Sequence, residues 1–253
     1  MKYTVLTLFP EITGAYFASS IMAKALERGI IEYKPVNIRD FAPDKHHTCD
    51  DAPYGGGAGM LMLAEPLDKA LESVLTGDPH SPRTIYLTPS GRPFNQALAR
   101  ELSTEQELVL ICGRYEGIDQ RIIDTYVDDE ISVGDYVLSS GEVAALIIID
   151  ATYRLVDDVI TAASLEEESF GGGLLEYPQY TRPEIYGTVK VPEVLLSGHH
   201  ENIRRWRLEK RVEKTLALRP DLIRFGEEHS LFDDEVRKII DQKRRETGGE
   251  GER

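Results

Sequence analysis

Leu108-Val109-Leu110-Ile111-Cys112-Gly113-Arg114-Tyr115-Glu116-Gly117-Ile118-Asp119, and after it Ser132-Val133-Gly134-Asp135-Tyr136-Val137-Leu138-Ser139-Ser140-Gly141-Glu142, decide the fold of this chain. The run before Gly113 is short, apolar and stopped by glycine, which is the signature of a buried strand. The second stretch leads into an apolar helix at residues 143–149. Ligands of open α/β sheets sit beyond the carboxyl ends of such strands, so both turns occupy a ligand position. Glycine lets backbone groups approach a ligand closely, and Tyr115, Tyr136 and Leu138 offer apolar wall for a flat ring. Arg114, Glu116, Asp119 and Asp135 are more ionisable groups than a turn needs. Charged surface turns are the plain alternative, and these residues alone leave both readings open.

Working outward, residues 2–9 read as a strand, a helix runs from Pro10 to about Arg28 with Gly29 as its stop, and residues 30–38 read as a second strand. Residues 39–59 lose periodicity and become polar, as functional irregular segments do. A helix at 65–75, a strand at 84–88, the turn Pro89-Ser90-Gly91-Arg92, a helix at 94–106 and a helix at 117–126 complete the alternation. That alternation predicts an α/β fold, a parallel sheet with helices on both faces. G-x-G-x-x-G is absent, which disfavours a Rossmann dinucleotide site. Residues 55–59 are glycine-rich but lack the Gly-Lys-Ser/Thr of a phosphate loop, which disfavours a nucleotide hydrolase. His46-His47 near Asp50-Asp51 lacks the spacing of a metal site, because adjacent side chains point apart, and no metal is expected. Cys49 and Cys112 form no C-x-x-C pair and are expected to remain reduced thiols.

The chain has 253 residues and a net charge of −15, which read globally argues against nucleic acid. Locally it does not. Residues 199–219 hold seven Arg/Lys against three Glu, and a helix at 201–218 carries Arg204, Arg205 and Arg207 around Trp206, opposite the apolar stripe Leu208, Val212 and Leu216. Guanidinium forks there suit phosphates, although a charged outer face is common on any helix. No apolar run spans a bilayer, so the chain is expected to be cytoplasmic with no membrane partner. After Arg154 the composition becomes small, acidic and then glycine-rich. The expected organisation is an α/β domain at 1–160, a flexible linker at 161–176, a small, mainly helical domain at 177–246 and a disordered tail at 247–253.

The two glycine turns, with Leu8-Phe9-Pro10-Glu11, Asp50-Asp51-Ala52-Pro53-Tyr54-Gly55-Gly56-Gly57-Ala58-Gly59-Met60, Tyr180-Thr181-Arg182-Pro183-Glu184 and Ile203-Arg204-Arg205-Trp206-Arg207, closely resemble the bacterial tRNA (guanine-N1)-methyltransferases, the TrmD family of SPOUT methyltransferases. The resemblance implies a deep trefoil knot. It implies S-adenosylmethionine held by Tyr86, Leu87, Gly113, Glu116, Val133, Gly134, Asp135, Tyr136, Val137, Leu138 and Gly141. It places the general base at Glu168, where the family has aspartate, and the charge-stabilising arginine at Arg154. It implies tRNA contacts from Asp50, Arg204, Arg205 and Arg207, a homodimer with its active site at the subunit interface, and a magnesium requirement that no residue pattern explains. His47 stands where the family has arginine or lysine. The implied product is 1-methylguanosine immediately 3' of the anticodon. Ribose 2'-O-methylation and RNA binding without catalysis are the rivals. The first needs no carboxylate base aimed at a purine edge, and the second needs none of the cofactor segments.

Overall fold

The computed structural model describes residues 1–75, 82–159 and 168–248. The chain divides into two compact units, Met1–Ile160 and Thr161–Arg253.

The first unit is a five-stranded sheet in the order β2-β1-β6-β5-β7, with every neighbour parallel. Its strands are β1 (Lys2–Thr7), β2 (Glu32–Asn37), β5 (Arg83–Pro93), β6 (Glu107–Ile111) and β7 (Asp129–Ser132). A two-stranded ladder of β3 (Asp50–Asp51) and β4 (Leu61–Met62) stands apart. The helices are α1 (Pro10–Phe17), α2 (Ser20–Glu27), α3 (Ala64–Glu72), α4 (Gln96–Ser103), α5 (Gln120–Tyr126) and α6 (Gly141–Tyr153). Strand alternation sends side chains to two cores. Tyr3, Val5, Leu108 and Leu110 join one, and Leu6, Leu8, Val109 and Ile111 the other, so helices cover both faces.

Three differences from the sequence reading have physical causes. The helix expected from Pro10 to Arg28 is two helices, broken at Ala18-Ser19, where Ser19 is extended and Ser20, which opens α2, takes a φ of 55°. The turn Pro89-Ser90-Gly91-Arg92 lies inside β5, which pairs with β7 through Leu87, breaks register, and pairs again through Arg92 and Pro93. Ile131 is thus partnered by both Leu87 and Arg92. A Cβ on Gly91 would lie 2.4 Å from the backbone of Glu130 and Ile131, so only glycine fits this crossing. The third is β7 itself, which the sequence hides as an acidic run. Its Asp129 receives Arg83 at 2.6 Å and Arg92 at 2.8 Å, one from each end of β5.

In the second unit, β8 (Ile185–Tyr186) pairs with β9 (Val189–Lys190), followed by α7 (Glu193–Leu196), α8 (His200–Leu218), α9 (Pro220–Glu228) and α10 (Asp234–Gly248). Val212, Ile223, Phe232 and Ile240 form its core, with Leu208 and Leu216 packed against it, as the helical stripe requires. Of the expected linker at 161–176, residues 161–167 lie outside the described residues, whereas residues 169–176 are packed on α8. Leu174 is buried in the core, Leu175 N–H donates to Thr215 Oγ1 at 2.9 Å, and Arg211 donates to the Gly171 and Leu175 carbonyls. Of the expected tail, residues 247–248 continue α10 and residues 249–253 lie outside the described residues.

Candidate functional site

A cleft opens in the first unit beyond the carboxyl ends of β5, β6 and β7. It is lined by Tyr86, Leu87, Thr88 and Pro89 from β5, by residues 113–117 after β6, and by residues 131–134, 136–141 and Ala144. The two glycine turns are laced together. Gly141 N–H donates to the Gly113 carbonyl at 2.8 Å, and Arg114 bridges Ser140 in antiparallel fashion.

The glycines of this wall have occupied neighbourhoods. A Cβ on Gly113 would lie 2.9 Å from the Tyr86 ring, and one on Gly141 would lie 2.7 Å from the Cys112 Cα. The Tyr136 ring covers Gly134, with its hydroxyl donating to the Val133 carbonyl at 3.1 Å. Burial raises the Tyr86 hydroxyl above the usual phenol range, and a backbone hydrogen bond from Ile118 steadies it beneath the turn. Burial also pushes the Cys112 thiol far above its ordinary value, so this cysteine is not a nucleophile. Behind the cleft, Glu142 in the first turn of α6 is 1% exposed and accepts from Thr7 Oγ1 at 2.5 Å, tying α6 to the end of β1. What remains facing the cleft is mostly backbone with tyrosine and aliphatic walls, a lining suited to a nucleoside.

The glycine-rich loop after β3 is joined to the same site. Glu116 N–H donates to the Met60 carbonyl and Met62 N–H to the Gly117 carbonyl, both at 3.0 Å. The Glu116 side chain fills the space where Gly59 would carry a Cβ. Tyr54 stands fully exposed on this loop.

Of the residues singled out in the sequence, Tyr86, Leu87, Gly113, Glu116, Val133, Gly134, Tyr136, Val137, Leu138 and Gly141 line one cleft. Asp135 is exposed and is not among the lining residues. Thr88, Pro89, Ser139 and Ala144 line it too, and the sequence signalled the first two only as the end of a strand and the start of a turn. Arg154 caps the C-terminus of α6. Asp50 lies in the short β3 ladder. Glu168 belongs to the second unit, where its carbonyl accepts from Gly171 N–H at 3.0 Å. On α8, Arg204 is held by Glu201 and Glu235, both at 2.8 Å, and Arg205 by Glu209 at 3.0 Å. Arg207 lies over the Tyr177 ring at 4.6 Å. Among the described residues, no group of three His, Cys, Asp or Glu is placed to hold a metal ion, and no helix is long and apolar enough to cross a membrane.

Parallel strands that end at a glycine-walled cleft define the class: an open-sheet α/β protein that takes a small ligand at its strand ends. The family described as tRNA (Guanine-1)-methyltransferase TrmD matches residues 1–225. The chain belongs to that family. It is 66% identical over 240 residues to the tRNA (guanine-N(1)-)-methyltransferase of Treponema denticola, covering 95% of this chain and 98% of that one. It is 58% identical over 240 residues to the one from Treponema pallidum, covering 95% of each. With the Borreliella burgdorferi protein of the same name it shares 60% identity over 224 residues, 88% of this chain and 92% of that one.

Proposed function

We propose that this chain transfers a methyl group from S-adenosylmethionine to N1 of the guanosine immediately 3' of the tRNA anticodon, a modification that supports maintenance of the reading frame. The observation that carries the reading is the family match over residues 1–225, which takes in every residue of the cleft. The cleft fits the donor, because its wall is backbone and aromatic where a nucleoside needs close approach. Tyr86, Leu87, Gly113, Glu116, Val133, Gly134, Tyr136, Val137, Leu138 and Gly141 would hold it. When bound, S-adenosylmethionine supplies an electrophilic methyl group.

Guanine N1 carries a proton and is a poor nucleophile until it leaves. Glu168 accepts that proton, and Arg154 balances the negative charge that spreads to O6. Glutamate in place of the family's aspartate keeps the carboxylate and extends it by one methylene. Asp50, Arg204, Arg205 and Arg207 contact the tRNA. Two of these arginines already hold carboxylates, so phosphates must compete with Glu201, Glu235 and Glu209 for them. Among the described residues, no cluster of His, Cys, Asp or Glu fits a magnesium ion.

Residues 1–160 act as the cofactor domain, 161–176 as the connection that carries the base, and 177–246 as the tRNA domain, in a cytoplasmic homodimer whose active site is shared between subunits. Membership of the family supports a chain threaded as a trefoil knot. Incubation with labelled S-adenosylmethionine and unmodified tRNA, followed by nucleoside analysis, is expected to give 1-methylguanosine. A ribose-methylated nucleoside as sole product would overturn the reading.

A further inference from the structure

Two arginines of the first unit converge on one aromatic ring. The Arg114 guanidinium lies 4.5 Å from the Phe9 ring centroid and the Arg39 guanidinium 5.7 Å from it. Among the described residues, neither forms an ion pair with a carboxylate, although the protein carries a net charge of −15. Arg114 also lines the cleft. Arg39 is fixed to the polar segment that leads into β3, since its side chain donates to the His47 carbonyl and the His47 ring bonds the Arg39 carbonyl. The carboxylate of Asp44 in that segment is already engaged by His46 N–H, Thr48 N–H and the Thr48 hydroxyl.

Stacking on a ring fixes a guanidinium plane while leaving its N–H edge free to donate, and that edge matches a phosphate in bidentate fashion. Two cations without an ion-pair partner, set on one ring in an otherwise acidic protein, attract an anion. Arg114 lines the cleft together with Glu116, and Arg39 shares its ring from outside that lining.

We infer that Arg39 and Arg114, laid on Phe9, grip backbone phosphate of the RNA strand that enters the cleft. The inference rests on the tRNA-methyltransferase reading and adds to it a phosphate subsite on the first unit. Replacing either arginine by glutamine removes one counter-charge. The plot of log affinity against log salt is then expected to flatten by about 0.7–0.9 per lost phosphate contact. Affinity at fixed low salt should fall roughly tenfold, as for a charge-assisted hydrogen bond.

The experiment measures tRNA binding of the full chain without cofactor over a salt series, for the wild type, Arg39→Gln, Arg114→Gln and both together. Arg39→Lys and Arg114→Lys accompany them, because lysine keeps the charge without the fork. The expected result is a flatter slope in each glutamine variant, near-additive loss in the double variant, and slopes held by the lysine variants. An unchanged slope in the double variant overturns the inference. So does an Arg114→Gln protein that loses S-adenosylmethionine affinity while keeping its salt slope, since the pair would then serve the methionine carboxylate. Nucleoside analysis of the wild type is run separately. Flattened slopes with no 1-methylguanosine would support the phosphate pair and overturn the activity.

Discussion

Two sets of arginines, one in each unit, are handled in opposite ways. On α8 of the second unit, Arg204 and Arg205 are matched by Glu201, Glu235 and Glu209, Lys210 by Glu213, and Arg219, at the helix end, by Asp221. In the first unit, Arg39 and Arg114 rest on Phe9 without such neighbours. A count of basic residues therefore overstates what the helix offers a polyanion and overlooks the pair at the cleft. Charge available to a ligand is charge not already neutralised, and exposed ion pairs hold part of it back.

The division of labour between units is tested most severely by removing the base. Glu168→Gln is expected to cut single-turnover methylation at saturating tRNA by about two to four orders of magnitude, with tRNA and cofactor binding changed far less. Glu166→Gln and Glu167→Gln should be mild, and the reverse pattern would move the base along the run. The first unit's share is tested by Gly113→Val. A side chain there meets the Tyr86 ring at 2.9 Å, and titration calorimetry should show cofactor affinity abolished while the fold survives.

Neutralising Arg204, Arg205 and Arg207 together should weaken tRNA binding and flatten its salt dependence, but by less per arginine than at Arg39 and Arg114. A larger change on α8 would break the contrast. The smallest effects concern stability. Asp129→Asn, which deprives both Arg83 and Arg92, is expected to cost about 1.5–3 kcal/mol in denaturant unfolding. Glu235→Gln, on an exposed pair, should cost only about 0.2–1 kcal/mol. Equal losses would show that burial does not separate the two networks.

Much of this was legible along the chain, and what escaped was long-range. The run into Gly113 names its own strand, because apolar residues bounded by glycine have few other uses. The α8 stripe is equally plain, since Leu208, Val212 and Leu216 recur at the helical period. β7 escaped because Asp129 and Glu130 break the apolar pattern of a buried strand, and only the distant Arg83 and Arg92 make Asp129 fit one. The pairing of Arg204 with Glu235 spans 31 residues and leaves no local mark. Ten of the eleven residues assigned to the cofactor line the cleft, and Asp135 does not, although it is exposed like residues 136–139, because a motif does not record which way a turn residue faces.

The glycine wall has a consequence for pharmacology. Most point mutations that let a target escape a drug exchange one side chain for another at the contact surface. Here a side chain at Gly113 would press on the Tyr86 ring, and one at Gly141 on the backbone of Cys112. A compound that contacts the main chain at these positions leaves few single substitutions there that reshape the pocket and keep its own ligand. Escape would have to come from the exposed rim, at Tyr115, Tyr136 or Val137, where side chains have room to change.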